Sequence, residues 1–400
     1  MEKYLQILLE QIRCKKAHEF VRQEIAGHIT DQMGENISEG MTEQEALEEA
    51  VKGMGDPVEA GIALDRIHRP RMEWGIVAVV GLISALSIVL QYFILKDSTV
   101  YQTGLIIKSI FYSALGLLAM IVVYRFDYSL IGKYAKQIAV IGTLGILILA
   151  YNNGRVINAV SYIGIRFINI SIITFVFLFV PVYAGILYQQ RGGKYLAVLK
   201  CIAWMLIPVF GAMTIPNVGG MIGVFLILSV LLSMAVYKGW FQIPKRKFFV
   251  GFWSLAVILP ALAVWATLKL NLLAEYQVER LRYYVSGMPS EVYSVDKAVR
   301  QIIKGSKLLG KAVPDITEQV PSAMNSYILT TITAYYGVLA AAAVFGVLLY
   351  LVVRIFKISK RQGNQLGIMM GYGCGLVFLV MAVSNGMISI GIRMLSCGDL

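Results

Sequence analysis

Acidic residues are scarce over most of this 400-residue chain: of 24 Asp and Glu, 14 fall within residues 1–72 and only 10 in everything that follows. The apolar segments therefore lack the carboxylates from which coupled pumps build proton and ion relays. Histidine is rarer still. All 3, His18, His28 and His68, lie in the first 70 residues, so the apolar part has neither an imidazole base nor a histidine metal ligand. The 4 cysteines, Cys14, Cys201, Cys374 and Cys397, are far apart and form no C-x-x-C pair, which excludes a disulfide framework or a zinc site of the usual spacing. Charge of either sign is sparse, at 15% of residues against 58% hydrophobic. Such a chain cannot fold around one aqueous core without exposing long apolar runs, and a bilayer is the solvent that fits it.

The net charge of +12 divides into −5 over residues 1–72 and +17 beyond. A basic excess on a membrane protein sits in cytoplasmic loops facing anionic lipid, so nucleic-acid binding is not expected. The first residues mix Glu2, Lys3, Gln6 and Glu10 with leucines. That is an amphipathic pattern without the apolar core of a signal peptide, and the N-terminus should stay in the cytoplasm. Residues 1–70 read as a small helical domain. One apolar period runs through Leu5, Leu8, Leu9 and Ile12, and a second through Phe20, Ile25 and Ile29. A capping box, Thr42-x-x-Glu45, opens a third helix that stops at Gly53 or Gly55. Asp56-Pro57 then starts a fourth that ends before Arg69-Pro70.

From Trp74 onward, apolar segments long enough to cross a bilayer recur at 74–95, 103–124, 134–151, 168–188, 197–216, 219–237, 247–271, 327–353 and 366–392. The fold class expected is all-α, a polytopic helical membrane protein with nine visible spans and a tenth expected beyond Leu400. The cations Arg125, Lys133, Lys136, Arg191, Lys194, Lys200, Lys238, Lys245, Arg246, Lys247, Arg354, Lys357, Lys360 and Arg361 all fall on one side of those spans. By the positive-inside rule that side is the cytoplasm, and the long loop at about 272–326 is extracytoplasmic. This is a multi-pass plasma-membrane topology with the N-terminus inside. Lys108 and Lys269 are the notable cations within spans, the latter placed to reach the interface as an anchor. Small residues Ala334, Gly337, Ala340 to Ala343 and Gly346 suit close helix packing.

Chemistry is expected in the long loop. It holds Arg280, Arg282, Lys297, Arg300, Lys304, Lys307 and Lys311, interleaved with Tyr283, Tyr284 and Tyr293, a mixture suited to a phosphorylated, lipid-linked substrate. Its acids are Glu275, Glu279, Glu291, Asp296, Asp315 and Glu318, any of which can serve as a general base beside an acceptor hydroxyl. An ordinary solvated loop with local ion pairs has the same composition.

Several segments, in order, resemble the SEDS family (shape, elongation, division and sporulation; the FtsW/RodA/SpoVE group) over residues 74–400. Phe126-Asp127-Tyr128 is similar to its hydrophobic-Asp-Tyr signature, and Ile215-Pro216-Asn217-Val218-Gly219 to its Gln-Pro-Asp-Leu-Gly. Gly305-Ser306-Lys307-Leu308-Leu309-Gly310-Lys311 resembles its Gly-Ser-x-x-x-Gly-Lys segment. Val320-Pro321-Ser322-Ala323 stands where the family has Ile-Pro-Glu-x-His-Thr-Asp-Phe, so that the family's outer-loop aspartate falls on Ser326. Separately, residues 1–70 with Gly55-Asp56-Pro57 resemble the permease-prefix domain found ahead of other membrane proteins.

The resemblance implies peptidoglycan biogenesis in cell shape, division or sporulation. The activity implied is polymerisation of lipid II, or a related undecaprenyl-linked precursor, on the outer membrane face beside a class B penicillin-binding protein. Arg280, Lys304, Lys307 and Lys311 would bind pyrophosphate, and Asp315 or Glu318 would replace the missing aspartate as base. No cofactor is called for and no protein metal site is expected, although a pyrophosphate substrate leaves room for a divalent cation. With serine at position 326, a non-catalytic scaffold or regulator of a penicillin-binding protein is the first alternative. A flippase for the lipid-linked precursor is the second.

Overall fold

The computed structural model describes residues 1–12, 17–68, 73–96, 103–157, 160–165, 168–213, 218–270, 294–312 and 327–391, with 278, 316 and 320 singly. The chain divides into two compact units, Met1–Gly75 and Ile76–Leu400.

In the first unit four helices share one small core: α1 (Glu2–Glu10), α2 (His18–Ser38), α3 (Glu43–Gly53) and α4 (Pro57–His68). Leu8, Leu9 and Ile12 bury against Val21, Ile29 and Ala50. The apolar stripe of α2 differs from expectation at one place. Phe20 is 62% exposed and Val21 is fully buried instead, because Val21 and Ile29 lie eight residues apart on the face turned to α1 and α3. Tyr4 ties the ends together by donating to the Met54 carbonyl at 3.1 Å. Its partial burial and the nearby Asp56 carboxylate hold the phenol above its ordinary pKa. Gly61 lets α4 lie against α1, since a Cβ there would stand 2.5 Å from the Leu8 carbonyl oxygen. The capping box forms as the spacing predicts: Thr42 Oγ1 accepts from Glu45 N at 3.4 Å, while the Glu45 carboxylate accepts from Thr42 N at 3.2 Å and Thr42 Oγ1 at 2.7 Å.

The second unit is helical, with α5 (Trp74–Lys96, which begins at the boundary), α6 (Thr103–Arg125), the short α7 (Tyr128–Lys133), α8 (Ala135–Asn153), α9 (Ile172–Gln189), α10 (Tyr195–Met213), α11 (Val218–Tyr237) and α12 (Lys245–Lys269). They are followed by α13 (Ser294–Gly305), α14 (Ile328–Tyr336), α15 (Val338–Lys360) and α16 (Gln365–Ser389). Seven helices among the described residues are long and apolar enough to cross a membrane: α5, α6, α9, α11, α12, α15 and α16. The apolar helices α8 and α10 occupy the other two expected spans. A central group forms around α9, whose Val180, Tyr183, Ala184, Ile186 and Leu187 pack with Met205 of α10, Leu228 and Leu231 of α11, and Met369 of α16. Most of α9 and α11 is buried, whereas α5, α6 and α12 leave most of their apolar side chains exposed, apart from Ile94 and Leu95 at the end of α5.

Two expected spans have different bounds. Residues 327–353 are not one helix: α14 and α15 meet at Gly337, whose φ of 97° is left-handed. The span expected from 168 begins as a strand. β1 (Gly154–Ile157), β2 (Val160–Ile165) and β3 (Ile168–Ser171) form an antiparallel sheet in the order β1-β2-β3, with Ile157 opposite Val160 and Ile165 opposite Ile168. Their valines and isoleucines favour strand, and average hydropathy cannot distinguish such a hairpin from the start of a span.

Replacing Thr42 by Ala should destabilise the first unit by about 1 kcal/mol, the usual cost of a lost N-cap, seen as a lower unfolding midpoint of its helical signal. Because the bonds from Thr42 hold Glu45 below the ordinary glutamate pKa, their stabilisation is present above about pH 4.3 and fades as pH falls through the lowered folded value. The Ala variant should lose that acid-side dependence.

Candidate functional site

The segment between α12 and α14 is a polar loop by composition, yet α13 within it is strongly amphipathic. Val295, Val299 and Ile302 recur at helical spacing, with Lys297, Arg300 and Lys304 on the other face. The apolar stripe docks on Tyr327, Ala334 and Tyr335 around α14, on Ile388 of α16 and on Ile94 at the end of α5, with Ile316 and Val320 completing the cluster. Complete burial of Val299 and near-complete burial of Ile302 contribute roughly 1.5–3 kcal/mol each before chain entropy. Two polar ties fix the rim. Arg300 donates through Nε and Nη2 to the Gly391 carbonyl at 3.2 and 3.0 Å, and Thr330 Oγ1 donates to the Ser389 carbonyl at 2.9 Å.

After α13 the glycine-rich stretch runs alongside the break at Gly337. Gly310 N donates to Tyr336 O and Ala312 N to Ala334 O, both at 3.0 Å. In return, Val338 N donates to Lys307 O at 3.0 Å and Leu339 N to Leu308 O at 3.2 Å. Gly310 has a φ of 87°, and a Cβ at Gly337 would stand 2.6 Å from the Leu308 carbonyl oxygen. Both glycines are therefore required by geometry. The outcome for chemistry is the position of Lys311, whose Nζ lies 4.8 Å from the centre of the Tyr335 ring. Lys311, Tyr335 and Tyr336 line a cavity of about 510 Å³ whose far wall is apolar, made by Val89, Leu90 and Phe93 of α5.

Polar side chains are also buried where α13 docks on α16. Asp296, in the first turn of α13, is 1% exposed, Asn385 is 1% and Ser389 is 5%. The Asn385 amide and the Ser389 hydroxyl, one turn apart on α16, find no hydrogen-bond partner among the described residues. Asn385 carries a signal that sequence reading passed over: a lone carboxamide in an apolar span is costly unless something polar meets it.

The expected site residues divide three ways. Lys304, Lys307 and Lys311 are exposed along the one segment that leads from α13 to the cavity, with Gly305 and Gly310 between them. Asp127 and Tyr128 belong to the other end of the helices, where Asp127 Oδ1 accepts from Ser129 N at 3.1 Å to cap α7 and Tyr128 packs over Gly367. Gly219 is buried in the first turn of α11. Arg280, Asp315, Glu318, Pro321, Ser326, Pro216 and Asn217 lie outside the described residues. No group of three or more His, Cys, Asp and Glu placed to hold a metal occurs among the described residues.

Introducing Val at Gly337 should push the Leu308–Leu309 backbone off the helix break and impose a strained φ. The expected effect is a loss of roughly 2–4 kcal/mol, read as a lower unfolding temperature in detergent together with faster hydrogen exchange at Gly310 and Ala312. Unchanged exchange at those two amides would contradict the pairing.

Comparison with known proteins agrees with this architecture. Residues 70–394 match the FtsW/RodA/SpoVE family, described as cell cycle protein. A curated relative from Hydrogenovibrio crunogenus, named probable peptidoglycan glycosyltransferase FtsW, is 21% identical over 302 residues, covering 72% of this chain and 74% of its own length. A chain of a solved peptidoglycan synthase complex, described as coordinating polymerization and crosslinking, superposes with a TM-score of 0.64 at 17% identity, covering 80% of this chain and 88% of that one. The rod shape determining protein RodA of Thermus thermophilus superposes at 0.54 with 13% identity, covering 81% of this chain and 92% of its own.

Proposed function

Since this chain belongs to the FtsW/RodA/SpoVE family of cell cycle proteins, the SEDS family, we propose that it is a multi-pass membrane protein of peptidoglycan synthesis that polymerises an undecaprenyl-linked disaccharide such as lipid II. The observation that carries this reading is the cavity at the helix break. It joins an apolar wall, Val89, Leu90 and Phe93, to a cation held over an aromatic ring, Lys311 on Tyr335, with Tyr336 alongside in the lining. A lipid pyrophosphate has that same division between a hydrocarbon tail and a doubly anionic head.

In the reaction an acceptor sugar hydroxyl attacks the anomeric carbon of the donor. The bond from that carbon to the pyrophosphate oxygen breaks, and the polyprenyl pyrophosphate departs with the electron pair. Lys311, with Lys304 and Lys307 along the same edge and Arg280 from the preceding loop, would stabilise the growing charge on the leaving group. Asp315 or Glu318 would take the hydroxyl proton. The α13 end faces outward in this reading, the basic loops and the permease-prefix domain, residues 1–70, lie in the cytoplasm, and a class B penicillin-binding protein would crosslink the product. The pyrophosphate could carry a divalent cation with it, although the lysine set can neutralise it alone.

One observation favours a second reading. Ser326 stands at the family's aspartate, and serine without a histidine partner is a poor base. A chain that has lost polymerisation would still hold a penicillin-binding protein in place as a scaffold.

Lipid II polymerisation by the full-length protein in proteoliposomes, with and without its co-purifying penicillin-binding protein, separates these. Lys311→Ala should lower the initial rate about 10- to 100-fold, and Asp315→Ala or Glu318→Ala should abolish it. Polymerisation that survives both carboxylate changes removes the base assignment. No polymer from the wild type, with the partner still bound, decides for the scaffold.

A further inference from the structure

The opposite end of the helices holds a second cavity, of about 570 Å³, lined by Lys133, Lys136, Gln137, Tyr188, Gln189 and Asn364 among others. Its walls come from three separate parts of the chain and are held together by hydrogen bonds. The Gln189 amide donates to the Gly132 and Lys133 carbonyls at 2.8 and 3.0 Å. Asn364 Oδ1 accepts from Leu366 N at 2.9 Å, and Arg191 Nη1 donates to Gln365 Oε1 at 2.8 Å while its guanidinium covers the Tyr188 ring at 5.1 Å. The floor is closed by apolar contact, since a Cβ at Gly132 would stand 2.5 Å from Leu366 Cδ2. The cavity is therefore built into the packing of α7, α8, α9 and α16.

What it lacks is a counter-charge. The four loops at this end, residues 126–134, 190–194, 238–244 and 361–364, contain a single carboxylate, Asp127, and that one caps α7. No carboxylate lies within ion-pair distance of Lys133 or Lys136 among the described residues. Lys133 Nζ lies over the Tyr134 ring at 5.2 Å, and with no carboxylate beside either lysine among the described residues, an anion entering the cavity meets two cations that it can neutralise. The neutral lining suits oxyanions: with its oxygen engaged, Asn364 offers its NH₂, and Gln137 and Tyr188 add further donors. Immediately beyond Lys136 and Gln137, α8 turns exposed apolar side chains outward, Ile141 at 71% and Leu144 at 54%. A cationic pocket that continues into an apolar, lipid-facing stripe has the form of a phospholipid, with headgroup in the pocket and acyl chains along the helix.

We propose that this cavity binds the phosphate-bearing headgroup of an anionic phospholipid, with Lys133 and Lys136 as its ionic ligands. The site is separate from the cavity at the helix break and does not depend on the polymerisation reading.

The test uses the full chain exchanged into vesicles of equimolar phosphatidylglycerol and phosphatidylcholine, with retained lipid quantified after detergent extraction. Wild type should retain phosphatidylglycerol selectively, and Lys133→Gln with Lys136→Gln should reduce that retention about tenfold. The paired change Lys133→Arg with Lys136→Arg should preserve it, which separates loss of charge from misfolding. The control pair Lys357→Gln with Lys360→Gln, at the same end but outside the cavity, should leave it unchanged. An equal loss in the control, or no preference for phosphatidylglycerol in the wild type, would overturn the site in favour of diffuse surface attraction. Displacement of the lipid by millimolar inorganic phosphate would overturn the lipid assignment and give the pocket to soluble phosphate.

Discussion

A buried backbone group has no water to take up an unmade hydrogen bond, and where a helix breaks inside protein, as at the buried Ala334, Tyr335 and Gly337, other protein groups must repair it. The break at Gly337 meets that demand with another stretch of the same chain. Where an unbroken helix would pair Val338 N with Ala334 O, Val338 N turns to Lys307 and Ala334 O to Ala312; Tyr336 O and Leu339 N are served by Gly310 and Leu308. These substituted bonds fix where the glycine-rich segment runs, and hence where Lys311 meets Tyr335. They also fix the point from which α13 folds back over α14. The geometry of the candidate site thus follows from a backbone repair, with the side chains placed as its consequence.

Charge follows a complementary logic at the two ends of the helices. At the basic end, loops far apart in sequence are stitched together: Gly192 N donates to Trp240 O at 2.7 Å, Gln242 N to Gly193 O at 3.0 Å, and the Gln189 amide to the last two carbonyls of α7. At the other end the apolar face of α13 supplies the cohesion, and its cations remain on the outside. The helix α16 connects the two, with Met369 in the central group around α9 and Ile388 in the cluster under α13.

Much of this was legible in the sequence because the governing signals are long or stereotyped. Span-length hydropathy located the apolar helices, and Thr42-x-x-Glu45 gave a helix start to the residue, since a capping box uses only local geometry. The glycines of the Gly305 to Lys311 segment marked a special backbone, but their partner could not be read. Nothing in the composition of residues 327–353 separates a continuous span from two helices meeting at a glycine whose neighbour lies about thirty residues upstream in sequence. The sheet at residues 154–171 was hidden in two ways: β3 fell within a segment read as span by its hydropathy, while β1 and β2 fell in the stretch between spans, where no strand was expected. Phe20 misled in the opposite sense: being large and apolar it read as core, yet it faces out and the smaller Val21 faces in. The basic cavity lay beyond sequence reading, since its residues come from segments about 50 and 230 positions apart.

The Gly337 break also changes which body α14 belongs to. Its carbonyls are held by the glycine-rich segment, its aromatic and alanine side chains pack under α13, and Thr330 grips the end of α16. Toward α15, covalent continuity passes through a single glycine. In mechanical terms the continuous helix is replaced at that residue by a splint, in which the glycine-rich segment bonds to both α14 and α15. A force applied to α13 is therefore shared by α14, by the tip of α16 and, through the bonds from Val338 and Leu339 to the glycine-rich segment, by the first turn of α15.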